Sequence, residues 1–143
     1  MGGSRWTCSS VQNFRDLLVW QKAHALAVRI NEVTDALARR DRSGFVSQAR
    51  RAAMSIPSNI AEGCHRPTDR DFAKFLQIAI ASATELEYQL LYARDTRRLK
   101  RAQSGPLLVQ VIEVRRMLYG LLKKVRERLR RQEPPGDAAP PNA

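Results

Sequence analysis

Residues 50–63 read RRAAMSIPSNIAEG. The apolar residues of this stretch recur with the period of an α-helix, yet a proline stands inside it at position 57 and polar residues surround that proline. A proline in a helix interior removes one backbone hydrogen bond and costs roughly 3 kcal/mol. The stretch therefore predicts a helix with a specific local shape, a kink at Pro57, and not a regular core helix.

Apolar residues also recur at steps of three and four on both sides of this stretch, and no segment alternates with period two. Four blocks result, which run from Val19 to Leu37, Val46 to Ile60, Phe72 to Ala93 and Leu107 to Leu129. The connections between them are short, so consecutive helices are antiparallel neighbours. We predict an all-α protein, an up-down-up-down four-helix bundle over residues 13–131. Helix two is expected to have roughly 20 residues and the others roughly 25–30.

Helix-ending and helix-starting residues separate the blocks. Asp41–Gly44 closes the first helix and opens the second. Gly63 is expected to end the second helix in a left-handed conformation, and Thr68 is expected to cap the third. Gly105–Pro106 is expected to open the fourth helix, with Ser104 as its cap.

The composition and the two ends of the chain exclude several classes of protein. No apolar run approaches the roughly 20 residues that cross a bilayer, and Met1–Cys8 lacks the apolar segment of a secretory signal. Two cysteines do not form a disulfide framework. We therefore expect a cytoplasmic protein that does not contact a membrane. Residues 1–12 are predicted to be flexible and residues 132–143, with four of the seven prolines, to form a disordered tail.

The formal net charge of +11 is concentrated near the end of the helical region. Residues 94–131 hold 13 basic and 3 acidic side chains, whereas residues 1–93 hold 12 basic and 9 acidic ones. This asymmetry favours a polyanionic partner, because phosphate contacts release counterions and charges attract over long distances. The alternative is a solvated basic helix that only keeps the protein in solution.

Three segments of the sequence carry a family resemblance. They are Phe14–Ala23 (FRDLLVWQKA), Ser47–Gly63 (SQARRAAMSIPSNIAEG) and Arg115–Leu121 (RRMLYGL). Together they resemble the bacterial four-helix-bundle proteins named after the intervening sequences of large-subunit ribosomal RNA genes, and the resemblance extends over about residues 14–125. Thr96–Arg101 differs, because it is more basic than the glycine-containing turn that the resemblance leads us to expect.

The resemblance implies a four-helix protomer that assembles into a ring-like homopentamer. Relatives of the family include accessory proteins of diversity-generating retroelements, which are basic pentamers that bind nucleic acid and a reverse transcriptase. The implied partners are therefore further copies of the chain, RNA or DNA, and a reverse transcriptase. Aromatic residues such as Trp20 and Tyr92 are expected to anchor the core or the subunit interfaces.

The residues around Pro57 form a structural signature. Its members are Arg51, Ser55, Pro57, Asn59, Glu62 and Gly63. Because Pro57 leaves the Ala53 carbonyl without its helical donor, we expect a nearby hydroxyl, amide or water to satisfy it, with a binding pocket as the alternative. One of the two arginines at 50 and 51 is expected to pair with Glu85 or Glu62. The other could face a polyanion, unless both are ordinary surface arginines.

Cys64-His65 is the one pair that invites a catalytic or metal interpretation. Adjacent residues in a turn rarely hold a nucleophile and its base in hydrogen-bond geometry. Zinc requires three or four ligands, and the second histidine, His24, lies in a different predicted helix. The sequence also lacks a glycine-rich phosphate loop and a nucleophile elbow. We therefore expect a non-enzymatic protein without a metal or cofactor.

The candidate nucleic-acid contacts lie on helices three and four. They are Arg97, Arg98, Arg115, Lys123, Lys124 and Arg126. We expect residues 97–101 and Arg115 to share one end of the bundle and residues 123–131 to lie toward the other. The cations would then form a long strip that contacts phosphates without reading base sequence.

The predicted function is that of a non-enzymatic accessory protein of a ribonucleoprotein or retroelement, which binds RNA or DNA as an oligomer. The alternative is a scaffold ring that binds another protein and no nucleic acid.

Overall fold

The computed structural model describes residues 13–134 and residue 136. After a 3₁₀ turn over Phe14–Asp16, the helices of this part are α1 (Leu18–Ala38), α2 (Phe45–Cys64), α3 (Asp69–Asp95) and α4 (Arg101–Gln132). No β-strand occurs among the described residues, and the all-α prediction is confirmed. The predicted flexible segment 1–12 and most of the predicted tail, 132–143, lie outside the described residues.

Each helix packs against two neighbours. Helix α1 packs beside α2 and α4, and α3 packs beside the same two helices, whereas the backbones of the diagonal pairs stay more than 8 Å apart between Cα atoms. This arrangement confirms the up-down-up-down bundle. The core between the helices is apolar, and its largest fully buried side chains include Phe72, Leu26, Ile56, Leu86 and Leu118. None of the described helices is long and apolar enough to span a bilayer. Assembly into a ring stays a prediction.

Two predicted helix boundaries agree with the structure. The Thr68 hydroxyl accepts a hydrogen bond from the Asp71 N–H and caps α3. Gly44 precedes α2 with φ +78°, a left-handed conformation that glycine adopts without strain. The lengths of α2 and α3, 20 and 27 residues, match expectation. Helix α1 is shorter than expected at 21 residues, because residues 14–16 form a separate 3₁₀ turn before it.

The predicted start of α4 is wrong. The helix begins at Arg101, ahead of Pro106, and Ser104 is fully buried instead of acting as the cap. The Gln103 side chain accepts a hydrogen bond from the Lys100 N–H (3.2 Å), and the Gln103 N–H donates to the Lys100 carbonyl (2.9 Å). These reciprocal bonds start the helix earlier than the glycine-proline pair suggests. A proline near the start of a helix leaves only one carbonyl without its donor.

The prediction that Gly63 ends α2 in a left-handed conformation is also wrong. Gly63 is buried inside α2, which continues to Cys64. A Cβ atom at this position would lie 2.9 Å from Phe72 Cδ2 and 2.9 Å from Phe75 Cβ. Glycine is therefore required by the close approach of α2 and α3, and not by its backbone dihedral angles.

We expect Gly63→Ala to destabilise the fold by about 1–3 kcal/mol, because the added methyl group overlaps two aromatic side chains of α3. This cost exceeds the gain of about 1 kcal/mol that alanine brings to a helix interior. Gly120→Ala is the matched control, since nothing lies within 4 Å of a Cβ atom there, and it should stabilise by about 0.5–1 kcal/mol. Urea denaturation measures both changes. A stabilised Gly63→Ala protein would refute the close-packing explanation.

Candidate nucleic-acid interface

Ser55, Asn59 and Ser82 form a polar contact between α2 and α3. The hydroxyl oxygens of Ser55 and Ser82 lie 2.7 Å apart. Asn59 Nδ2 donates to the Ser55 carbonyl (2.7 Å) and to the Ser55 hydroxyl (3.0 Å). Pro57 is buried within α2 between these groups. We expected a polar group to bind the Ala53 carbonyl, but the Asn59 amide binds the Ser55 carbonyl instead. The bond between Ser55 and Ser82 links α2 to α3.

Arg50 makes its contacts with α1. Its Nη2 lies 2.8 Å from Asp35 Oδ1, and its Nε donates to the Thr34 hydroxyl (2.9 Å). We expected Arg50 or Arg51 to pair with Glu85 or Glu62, and this prediction is wrong, because neither glutamate forms an ion pair with either arginine in the described part of the chain. Arg50 instead contacts α1. The side chain thus ties α2 to α1.

Arg51 and Glu62 lie on the exposed surface of α2. Glu62 forms an ion pair with Arg66 one helical turn later (2.8 Å). An exposed pair of this kind contributes at most about 1 kcal/mol. These two signature residues are therefore surface residues, whereas Ser55 and Gly63 contact α3 and Asn59 supports Ser55 from within α2.

The sequence analysis predicted Arg115 at the same end of the bundle as residues 97–101, and this prediction is wrong. It stands 14 residues beyond the first residue of α4, which is about 21 Å along the helix axis. Its guanidinium forms an ion pair with Glu87 of α3, and the two side chains are 25% and 21% exposed. Arg115 therefore links α3 to α4 in the middle of the bundle, and its charge is already compensated.

Lys123, Lys124 and Arg126 are exposed on the last third of α4. Arg128, which follows them, lies 3.3 Å from Asp69 at the start of α3. This contact places the end of α4 beside the α2–α3 connection. The three cations consequently lie toward the end of the bundle opposite to the α3–α4 loop, where the sequence predicted them.

Arg98 holds the α1–α2 loop against the α3–α4 loop. Its Nη1 lies 3.4 Å from Asp41 Oδ1 and donates to the Ser43 hydroxyl. Its guanidinium lies 5.9 Å from the ring centroid of Phe45 and 5.7 Å from that of Tyr92. A third of the side chain remains exposed. The role of Arg98 is therefore mainly structural. The sequence did not reveal this role, because Arg98 lies within a run of basic residues.

Asp41 caps α2 from the α1–α2 loop. Its Oδ2 accepts a hydrogen bond from the Val46 N–H (2.6 Å), and its Oδ1 accepts from the N–H and the hydroxyl of Ser43 (3.2 and 2.8 Å). The bond from Val46 is the main cause that lowers the pKa of Asp41 below its ordinary value, and Ser43 and the charge of Arg98 add to it. Only 7% of the side chain is exposed. The carboxylate is thus engaged by its own fold.

We expect Asp41→Asn to lower stability at pH 7 and to make it less dependent on pH in acid. Because the folded pKa lies below the unfolded value of about 4, the Asp41 carboxylate stabilises the fold above that pH, and this contribution disappears as the pH falls through the folded pKa. Asparagine keeps the capping ability without the charge. The difference in urea midpoint between wild type and variant should be smaller at pH 3 than at pH 7. An unchanged difference would count against this role.

The α1–α2 and α3–α4 loops bring together basic residues that are far apart in the sequence. We call residues 39–44 and 94–101 the loop end. A cavity of about 520 Å³ at the loop end is lined by Arg40, Arg42 and Arg98 together with Asp41 and Ser43. The α1–α2 loop was missed as part of the candidate site. The bundle topology could have revealed it, because the first and third connections of an up-down-up-down bundle share one end.

A groove between α1 and α2 forms a second, apolar surface. It has a volume of about 500 Å³, and its lining includes Trp20, His24, Met54 and Pro57. Trp20 stacks on His24 with ring centroids 5.0 Å apart and meets Phe14 edge-on at 4.9 Å. Met54 is 63% exposed. An apolar surface of this kind suits contact with another protein.

Cys64 and His65 lie at the end of α2. Cys64 is buried, and His65 is exposed with its ring 6.2 Å from that of Phe14. Within residues 13–134, no group of three or more His, Cys, Asp or Glu side chains is placed to hold a metal ion.

The sequence matches the family model of the 23S rRNA-intervening sequence protein over residues 15–120. The chain belongs to this family. Its fold is similar to the crystal structure of a protein of unknown function from the S23 ribosomal protein family of Bacteroides thetaiotaomicron, with a TM-score of 0.71 and 28% sequence identity. That similarity covers 74% of this chain and 99% of the other. No curated protein matches the sequence.

The match to the 23S rRNA-intervening sequence protein family includes the α2 signature and the whole loop end. It stops at residue 120, before Lys123, Lys124 and Arg126. The family resemblance read from the sequence is therefore confirmed. Membership defines the four-helix fold, whereas the relation to retroelement accessory proteins stays a prediction.

Proposed function

We propose that this member of the 23S rRNA-intervening sequence protein family is a non-enzymatic, homo-oligomeric accessory protein that binds nucleic acid through its phosphate backbone. The observation that carries the proposal is the set of exposed cations that form no ion pair within the described part of the chain. Its clearest members are Arg39, Arg40, Arg42, Arg97, Lys100, Arg101, Lys123 and Arg126. Unpaired exposed cations displace counterions from a polyanion, which provides most of the affinity in sequence-independent binding.

The shape of the basic surface favours contact with phosphates over contact with bases. The cations lie on loops and at exposed positions of α4, and they are spread over several elements instead of being gathered on one helix that could enter a groove. The exposed tyrosines Tyr88, Tyr92 and Tyr119 stand on helices, whereas stacking platforms for bases usually lie on open sheets. We therefore expect little dependence on base sequence.

The family description adds a biological setting to this proposal. The family is named for 23S rRNA intervening sequences, which connects its members with RNA but assigns no activity to them. We propose that the protein acts within a ribonucleoprotein or a retroelement, with a reverse transcriptase as a protein partner and a homopentamer as the assembled form. The apolar α1–α2 groove is the surface that such protein contacts would use.

An electrophoretic mobility shift with several 20-nucleotide RNAs and DNAs of unrelated sequence tests the proposed function. We expect all of them to be retarded, with affinities that agree within about one order of magnitude, because phosphate contacts carry no sequence information. Tight binding of one sequence and none of the others would reject backbone recognition.

A scaffold that binds another protein without nucleic acid is the second candidate. The observation that favours it is the exposed apolar surface, since Met54 lines the α1–α2 groove and Tyr88 is 65% exposed on α3. The same mobility-shift experiment separates the two candidates. Retardation of RNA or DNA that disappears with added salt supports nucleic-acid binding, and its complete absence at low salt leaves the scaffold.

A further inference from the structure

We infer, on the basis of the proposed function, that phosphate groups bind mainly at the loop end and not along a strip on α3 and α4. The loop end comprises residues 39–44 and 94–101 and holds eight basic and two acidic side chains, a net charge of +6 over 14 residues. The opposite end, residues 62–74 and 123–133, holds nine basic and five acidic side chains, a net charge of +4 over 24 residues. Charges reinforce each other within about 10 Å at 0.1 M salt, so the loop end attracts a polyanion more strongly.

Both acidic residues of the loop end are already engaged by neighbouring groups. Asp41 accepts hydrogen bonds from Val46 and Ser43 and pairs with Arg98. Asp95 pairs with Arg94, with 3.0 Å between Arg94 Nε and Asp95 Oδ1. The Asp41 side chain is only 7% exposed, whereas that of Asp95 is 66% exposed, and neither carboxylate forms an ion pair with another cation of the loop end among the described residues.

Six exposed cations remain at the loop end without an ion pair to any residue that the structure describes. They are Arg39, Arg40, Arg42, Arg97, Lys100 and Arg101. A second cavity, lined by Arg94, Arg97, Lys100 and Arg101 with Asp95 and Leu99, extends the surface on the α3–α4 side. Cations on two adjacent loops can contact consecutive phosphates of one strand, which isolated surface lysines cannot do.

Arg98 keeps the two loops in a fixed relation. It bridges from the α3–α4 loop to Asp41 and Ser43 of the α1–α2 loop. The surrounding cations are therefore held together before any partner arrives, and less conformational entropy is lost on binding. Arg98 is a positioning residue in this account, whereas the six exposed cations contact phosphate.

The backbone of Arg97 gives an independent reason to assign a role to this loop. Arg97 has φ 60°, and no other described non-glycine residue has a positive φ. The Arg98 N–H donates to the Ala93 carbonyl (2.8 Å) and the Arg97 N–H to the Arg94 carbonyl (3.1 Å), a helix ending in which glycine is usual at position 97. A side chain is disfavoured there. Strain of this kind concentrates at functional sites.

Two triple variants with equal loss of charge test the inference. The first is Arg42→Gln, Arg97→Gln and Arg101→Gln at the loop end, and the matched control is Lys123→Gln, Arg126→Gln and Arg130→Gln on α4. All six side chains are exposed, so neither variant should disturb the helical circular dichroism. The probe is a fluorescein-labelled 20-nucleotide single-stranded RNA of mixed sequence, and its fluorescence anisotropy is measured at 0.1 M salt.

We expect the loop-end variant to lose affinity by on the order of 100-fold, because each of the three lost phosphate contacts contributes about a factor of five to the affinity for a single strand at 0.1 M salt. The control variant should lose less than about fivefold, from long-range attraction alone. An equal or larger loss in the control variant overturns the inference while the proposed function stands. A wild-type protein that does not bind RNA at low salt overturns both.

Arg97→Gly provides a second readout that separates binding from folding. Glycine relieves the left-handed strain at this position, so the melting temperature should rise by about 2–5 °C. The affinity for the same RNA should fall by about three- to tenfold, because one phosphate contact is lost. A variant that is more stable and binds as tightly as wild type would show that Arg97 has no part in the site.

Discussion

Raising the salt concentration from 50 to 200 mM is expected to weaken binding of the protein to duplex DNA about 500-fold. The estimate assumes about five phosphate contacts, each of which contributes a slope of roughly −0.9 to the logarithm of affinity against the logarithm of salt concentration. For single-stranded RNA the slope per contact is roughly −0.7, and the expected loss is about 100-fold. The exposed unpaired cations at the loop end are sufficient in number for five contacts.

The salt slope is measured by anisotropy titrations at four or more salt concentrations. The Arg42, Arg97 and Arg101 triple variant serves as the control, because the loss of three contacts should make its slope shallower by about 2–3. A slope close to zero for the wild-type protein would mean that its contacts do not involve phosphates. Binding would then depend on bases or on a contaminating partner.

Met54→Arg is expected to convert the proposed homo-oligomer to a protomer of 16.2 kDa. Met54 lines the apolar α1–α2 groove and is 63% exposed in the single chain. A substitution there changes few contacts within the protomer, so the bundle should keep its stability. In an assembled interface the same arginine would be desolvated without a partner, which costs several kcal/mol. Multi-angle light scattering at micromolar concentration measures the mass.

Gln48→Arg is the matched control for this prediction. Gln48 is exposed on the same helix and is not part of the groove lining, so the variant adds the same charge elsewhere. It should keep the wild-type mass, which is five times the protomer mass if the pentamer proposal is right. Loss of assembly in both variants would assign the effect to charge and not to the groove. A wild-type chain that is monomeric would refute the proposed assembly.

Trp20 and Tyr92 are less suitable probes of assembly than the sequence suggested. Trp20 is half-buried against the core and contacts Phe14 and His24. Tyr92 lies beside the guanidinium of Arg98. Charged replacements at either position would therefore disturb the protomer itself, and a lost assembly could not be assigned to the interface.

The four helices could be predicted from the sequence because each buries one apolar face, and such a face imposes a regular spacing of apolar residues. Two details of the helix ends were predicted wrongly, and the first depends on a contact between helices. Gly63 has the local context of a helix ending, but its close contact with Phe72 becomes visible only when α2 and α3 are packed together. The second detail has a local cause, because the bonds between Lys100 and Gln103 start α4 before the more conspicuous sequence signal of Gly105–Pro106.

The candidate site could be predicted only as an excess of charge. A sequence lists cations but does not show which are compensated, and Arg115 is paired with Glu87 while Arg98 is engaged by Asp41. Neither partner is near its arginine in the chain, so no local pattern reveals these contacts. The contribution of Arg40 and Arg42 follows from the bundle topology, since the α1–α2 loop and the α3–α4 loop lie side by side.

The most direct test of nucleic-acid binding is a fluorescence anisotropy titration of the 143-residue chain against a labelled 20-nucleotide single-stranded RNA at 50 mM salt. A basic surface that contacts phosphates predicts saturable binding at low salt, which weakens steeply as salt is added. No change in anisotropy at any protein concentration would contradict nucleic-acid binding and leave the protein-binding scaffold as the function of this bundle.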